Sequence, residues 1–191
     1  MSPARARTSA DAIVGAGRAL LERGGLEAVT MQAVADAVGV RAPSLYKRFA
    51  GRPALIRAIA DDVAAELGAV IAPSLEIEDP AEAVRVLADR YRAFAHRSPG
   101  AYQLLFTNLL PEANPSAEAN AAAAAGLLLL TERLVGRARA LEAARLLTAF
   151  AHGFVSMELA GAFRLGGDVD EAYRFAIDSI VEGLGVTGRR G

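Results

Sequence analysis

The 191-residue sequence contains no cysteine and no tryptophan, only two histidines, and a single lysine, Lys47, among its 21 basic residues. Without cysteine there is no disulfide, no thiolate nucleophile and no cysteine-ligated zinc, a composition that fits a reducing cytoplasm. His96 and His152 do not form an H-x-x-x-H pair, and there is no obvious paired-carboxylate motif for acid–base work. No metal, no cofactor and no enzymatic activity are therefore expected. Long apolar runs are also missing. The longest uncharged one, Ala121 to Leu130, is too short for a bilayer, and the stretch from Leu146 to Leu165 is broken by His152, Glu158 and Arg164, so no membrane span is expected. The first residues, MSPARARTSAD, carry cations with no apolar segment behind them and do not read as a signal peptide.

What remains is a globular composition, 53% hydrophobic and 23% charged, with length enough for one large domain or two small ones. The net charge of −1 conceals an asymmetry. Residues 1–60 carry nine cations against four acids, a balance of +5, and the remainder twelve against eighteen, a balance of −6. A basic N-terminal part on an acidic body suits a chain that meets nucleic acid at one end only.

The segment Thr30 to Arg52, TMQAVADAVGVRAPSLYKRFAGR, carries the most readable chemistry. Thr30 is a good N-cap, and Met31, Val34, Ala35 and Val38 fall at helical spacing. Gly39 can take the left-handed conformation that turns the chain into Val40. Pro43 suits the first turn of a second short helix, on which Leu45 and Phe49 form the buried side. This is helix-turn-helix spacing. The other face of the second helix holds Arg41, Ala42, Ser44, Tyr46, Lys47 and Arg48. Small groups there let the backbone approach a groove, while hydroxyls and cations can bond phosphates or base edges. A polar face on a short helix is also what plain solvated surface looks like, and spacing alone leaves both readings open.

From about Thr8 to Ile59 the chain resembles the N-terminal domain of the TetR family of transcriptional repressors. The resemblance rests on Thr30, Ala35, Gly39 and Val40, then Ala42, Pro43, Ser44, Leu45 and Tyr46, and the aromatic Phe49. It implies a DNA-binding domain over residues 8–60 and a ligand-binding and dimerisation domain over 61–191. The residues expected at DNA are Thr30, Gln32, Arg41, Ala42, Pro43, Ser44, Tyr46, Lys47, Arg48 and Arg52. Ser44, Tyr46 and Lys47 are expected chiefly at specific contacts, and Arg41, Arg48 and Arg52 at phosphates. Arg5 and Arg7 suit a phosphate or minor-groove contact, or a merely solvated tail.

The rest of the chain reads as helices only. Ile13, Gly17, Leu20 and Leu21 line a first helix that stops at Gly24 and Gly25. Its Gly15-Ala16-Gly17 is no dinucleotide turn, because no strand precedes it and Leu20 holds the third glycine position. A longer helix from Arg52 has Leu55, Ile56, Ile59, Val63 and Leu67 as its core stripe, and is the expected transmitter between the two domains. Next comes a helix with Ala83, Val84, Leu87, Tyr91 and Phe94 inward, then one carrying Tyr102, Leu105 and Phe106. A helix over about 116–137 is apolar all round from Ala121 to Leu130 and is expected to be buried on every side. Two more, about 141–163 and 169–184, follow, the last with Ala172, Phe175, Ala176, Ser179, Ile180 and Leu184 as its apolar repeat. The sum is an all-α protein of about nine helices.

Tyr91, Phe94, Tyr102, Phe106, Phe150 and Phe154 could wall an apolar site for a small effector, joined by His152, Met157 and Glu158. Each of these has an ordinary reading as core or helix surface. Phe150, His152 and Gly153 also resemble the W-H-G motif of one TetR C-terminal class, with Ala151 in place of its tryptophan. The resemblance further implies a homodimer on a palindromic operator, released by a small, largely apolar effector. Ala160, Gly161, Ala172, Ala176 and Ser179 would permit close helix packing between protomers. A helical small-molecule-binding protein with a vestigial helix-turn-helix is the alternative, and salt-dependent binding to duplex DNA separates the two.

Overall fold

Periodicity of 3.6 with no strand-period segment leaves helices as the means of satisfying the backbone, and helices are what form. The computed structural model describes residues 9–188, so Arg5, Arg7 and Thr8 lie outside the described residues. Nine α-helices occur among the described residues, with short 3-10 turns and no strand. They are α1 (Ala10–Ala28), α2 (Met31–Val38), α3 (Ala42–Leu45), α4 (Arg52–Ile71), α5 (Pro80–Arg97), α6 (Pro99–Phe106), α7 (Ala117–Val135), α8 (Ala140–Leu159) and α9 (Val169–Gly188). Ser9 caps α1 by accepting from the Ala12 amide at 3.1 Å. Gly24 and Gly25 have non-helical backbone, Gly25 at φ 66°, and kink α1 where the sequence stops it.

The chain divides into two compact units, Met1–Glu66 with Ser98–Ala121, and Leu67–Arg97 with Ala122–Gly191. In the first, α1 and α2 pack together, as do α1 and α6. Ile13, Leu21, Val34, Leu45, Leu55, Ile59 and Val63 are among its buried side chains. At Gly17 the approach of α1 to α4 is so close that a Cβ would lie 2.5 Å from Ile59 Cδ1. Polar side chains tie the same helices together. Arg18 pairs with Asp62 at 2.8 Å and with Glu66, and these hydrogen bonds outweigh the burial that would lower its pKa, raising it instead. Ala101, Tyr102 and Leu104 are the buried residues of α6, and Phe106 is exposed.

In the second unit α5 packs against α8 and α9. Its expected stripe, Ala83, Val84, Leu87, Tyr91 and Phe94, is buried. The Tyr173 hydroxyl donates to the Ala88 carbonyl at 2.9 Å, giving a buried phenol its partner.

One expectation, about α7, is corrected. Helix α7 is not buried on every side: Ala121, Ala122, Ala124, Ala125 and Leu129 are exposed, and Leu130, Thr131 and Val135 are its buried residues. Alanine has little surface to hide, so an alanine-rich helix can be apolar all round and still bury only one face. In α9 the chain's own core takes Tyr173, Ile177 and Val181, four apart, while Ala172, Phe175 and Ser179 are exposed. The helix has two apolar stripes, and the one with Tyr173, Ile177 and Val181 is buried within the chain.

Candidate nucleic-acid interface

Helices α2 and α3 are short, and α2 is capped at both ends. Thr30 Oγ1 accepts from the Ala33 amide at 3.1 Å. Gly39, at φ 71° and ψ 38°, ends α2 and donates to the Asp36 carbonyl. The Val40 amide reaches the Ala35 carbonyl at 2.9 Å, so the reversal satisfies two carbonyls that would otherwise be orphaned. Arg41 then holds extended backbone ahead of α3.

The second helix is shorter than its spacing suggests. Helix α3 spans four residues, and Tyr46, Lys47 and Arg48 form a turn. The Leu45 carbonyl accepts from both the Arg48 amide at 2.8 Å and the Phe49 amide at 2.9 Å, a shared bond that tightens the last turn. Leu45 and Phe49 are buried and anchor this turn, while Tyr46 is 55% exposed beside exposed Lys47 and Arg48. Arg41 and Pro43 are also exposed, and Ala42 and Ser44 half-buried. The structure thus brings Arg41, Ala42, Pro43, Ser44, Tyr46, Lys47 and Arg48 together on one short segment. Thr30 and Gln32, both exposed, lie on the preceding element, with Gln32 donating to Asp36 at 2.8 Å.

Arg52 is used differently from the expected phosphate contact. Its Nε donates to the Val29 carbonyl at 2.7 Å and its Nη2 to the Leu26 carbonyl at 2.8 Å. The cation closes the chain that follows the α1 kink onto the start of α4.

The aromatic set assigned to an effector is divided. Tyr102 and Phe106 belong to the first unit, their rings 5.3 Å apart. Tyr91, Phe94, Phe150, His152, Phe154, Met157 and Glu158 belong to the second. There Phe150 stacks on Tyr173 at 6.0 Å and Phe154 meets it edge-on at 5.1 Å. Met157 is exposed and His152 half-buried, and burial lowers the His152 pKa.

Glu158 is held by two groups on α5 that the sequence reading did not single out. The Arg92 guanidinium donates to it from Nε at 2.9 Å, and His96 Nε2 lies 2.9 Å away. Arg92 also pairs with Asp170 at 2.6 Å and lies over the Tyr173 ring. The Arg92 hydrogen bond, against burial and with help from His96, holds the Glu158 carboxyl below its ordinary range. The four-residue spacing of Arg92 and His96 put them on one face of α5, but nothing in sequence pointed them at α8.

Comparison with known proteins adds the family. Residues 13–59 match the model for bacterial regulatory proteins of the tetR family, and residues 84–180 the model for the tetracyclin repressor-like C-terminal domain. An HTH-type transcriptional regulator of Mycobacterium tuberculosis is 31% identical over 162 residues, covering 82% of this chain and 72% of the relative. Among solved structures, a Rhodococcus sp. RHA1 protein of unknown function superposes with a TM-score of 0.78 at 22% identity, over 92% of this chain and 95% of its own. A TetR protein of Acinetobacter baumannii AYE in complex with minocycline superposes at 0.67 and 23% identity, over 91% and 94%. The chain belongs to the TetR family of DNA-binding transcriptional regulators, a family of ligand-responsive regulators and not of enzymes. No helix among the described residues is long and apolar enough to cross a membrane.

Proposed function

We propose that this chain is a cytoplasmic homodimeric repressor that binds a palindromic operator through α2 and α3 and leaves it when a small, largely apolar effector binds. In this reading residues 8–60 bind DNA and residues 61–191 bind effector and dimerise. The observation that carries it is the exposed Tyr46-Lys47-Arg48 turn, anchored from below by Leu45 and Phe49. A rigid scaffold presenting a phenol and two cations suits phosphates and base edges. Ser44, Tyr46 and Lys47 supply the specific contacts, Arg41 and Arg48 the phosphate contacts, and Ala42 and Pro43 the close backbone approach. Thr30 and Gln32 position α2, and Arg52 orients α4.

Dimerisation is supported by apolar side chains that the single chain leaves uncovered on α8, α9 and the loop joining them. Leu146, Met157, Leu165 and Phe175 are exposed, and large apolar side chains left to solvent on consecutive elements suit an association surface. Ala160, Gly161, Ala172 and Ser179 are exposed with them and Ala176 is half-buried, all small enough for close packing. Two copies related by a two-fold axis read two half-sites.

Release requires the effector to favour a conformation that fits DNA less well. The aromatic side chains of the second unit support an organic, ring-bearing effector, in keeping with the minocycline held by the Acinetobacter relative. Titration with duplex DNA at low and high salt tests the function. Steep loss of affinity with salt is expected, and no binding at any salt would favour a helical small-molecule-binding protein instead.

A further inference from the structure

Residues 98–116 fall within the stretch matched by the C-terminal family model, yet they pack in the first unit. Three side chains of α1 and α4 hold them there, each by main-chain atoms. Glu22 accepts from the Gly100 amide at 2.9 Å and the Ala101 amide at 2.8 Å. Arg57 donates to the Asn114 and Pro111 carbonyls, both at 3.1 Å. Asp61 accepts from the Ser116 amide at 2.7 Å.

The Glu22 contact has an unusual form. The first-turn amides of a helix lack partners inside it and are ordinarily met by the N-cap side chain. Ser98, the N-cap of α6, makes no such bond, and a carboxylate from another helix takes its place with the charge the helix N-terminus favours. The approach is tight: a Cβ on Gly100 would stand 2.9 Å from the Leu21 carbonyl oxygen. Two residues beyond Glu22, α1 kinks at Gly24, and the Leu26 and Val29 carbonyls that follow are fixed by Arg52. Thr30, the cap of α2, is next. A shift of the α6 N-terminus therefore acts on the last turn of α1 before the chain enters the helix-turn-helix.

We infer that Glu22 is a positioning residue that couples the N-terminus of α6 to the helix-turn-helix through the last turn of α1. This rests on the DNA-binding function proposed above. Coupling is reciprocal, so DNA occupancy must tighten the Glu22 clasp as surely as movement of α6 must disturb DNA binding.

The test is amide hydrogen exchange on the full chain, free and saturated with a duplex that the unaltered chain has selected from a random pool. Without DNA, Glu22→Ala speeds exchange at Gly100 and Ala101 by about tenfold, the usual worth of a charged hydrogen bond, and leaves Ser116 unchanged. Glu22 is exposed, so the variant folds, and Glu22→Gln, which keeps the chain length and loses the charge, provides a second comparison in the same direction. With DNA, exchange at Gly100 and Ala101 slows in the unaltered chain. That slowing is lost in Glu22→Ala while residues 31–49 still respond to the duplex. A merely structural contact would change the free-state rates and leave the DNA-dependent difference intact. Slowing of equal size in both chains, or none in the unaltered chain while residues 31–49 respond, overturns the inference. Failure to recover any duplex overturns the DNA-binding reading itself, and the inference with it.

Discussion

Tyr46 and Lys47 owe their position to Leu45 and Phe49, the two buried side chains on either side of them. Because the anchors and the exposed groups are different residues, binding and folding can be separated by mutation. Tyr46→Ala or Lys47→Ala is expected to weaken binding to the selected duplex by about tenfold, measured by fluorescence anisotropy, with an unchanged thermal midpoint. Full affinity in both variants would mean that this turn does not face DNA. Glu158 offers a second prediction at this scale. Its carboxyl is held below the ordinary value of 4.5 chiefly by Arg92, so the unfolded chain takes up a proton first as pH falls. The contribution is complete above that value and is lost as pH drops through the lower folded pKa. His152, lowered from 6.5 by burial, also favours the unfolded state on protonation, beginning higher in pH. Urea midpoints should therefore decline from about pH 6.5 downward, and Glu158→Gln should flatten the part below 4.5 while leaving the upper part. A variant that keeps the full acid slope would contradict the assignment.

Helices could be read along the sequence wherever one stripe was plainly heavier than its alternatives. The stripe of α4 at Leu55, Ile56, Ile59, Val63 and Leu67 is buried as its spacing requires, and Gly24 and Gly25 kink α1, and Gly39 ends α2, by their backbone angles. Helix α9 carries two apolar stripes, of which the spacing singled out one, and only tertiary packing chooses which of them the single chain buries. Helix α7 was misread because alanine marks a helix as apolar without forcing it inward. The contacts of Glu22 and Arg57 had no signature at all, since their partners are main-chain atoms more than fifty residues away. The turn at Tyr46, Lys47 and Arg48 was legible as residues and not as geometry, because the sharing of the Leu45 carbonyl depends on how Phe49 is buried. Packing between α1 and α4 gives a prediction of its own. Gly17→Ala gains about 1 kcal/mol of helix propensity but drives a methyl to 2.5 Å from Ile59 Cδ1, and overpacking of a buried site costs about 1–3 kcal/mol. The variant is expected to melt lower. Adding Ile59→Val, which removes the clashing methyl, should cost less in the Gly17→Ala background than alone; simple additivity in calorimetry would refute the clash.

At the scale of the whole molecule, the proposed function gives the basic end and the acidic body different partners, phosphates for the one and a second copy with an effector for the other. Phe175, 75% exposed on the stripe of α9 that the monomer leaves uncovered, is the side chain on which the dimer proposal leans hardest. Phe175→Glu is expected to yield a folded monomer in sedimentation equilibrium and to lower affinity for a two-half-site duplex far more than for a single half-site. A stable dimer with glutamate at that position would move the interface elsewhere. The central claim is that two copies of the Tyr46-Lys47-Arg48 turn read two equivalent stretches of DNA. Selection of bound duplexes from a random pool tests it most directly. The account predicts enriched sequences that are palindromic, with half-sites about one helical turn apart or a multiple of it, and binding that weakens steeply with salt. A pool that stays random after repeated rounds, with no retention even at low salt, would contradict it.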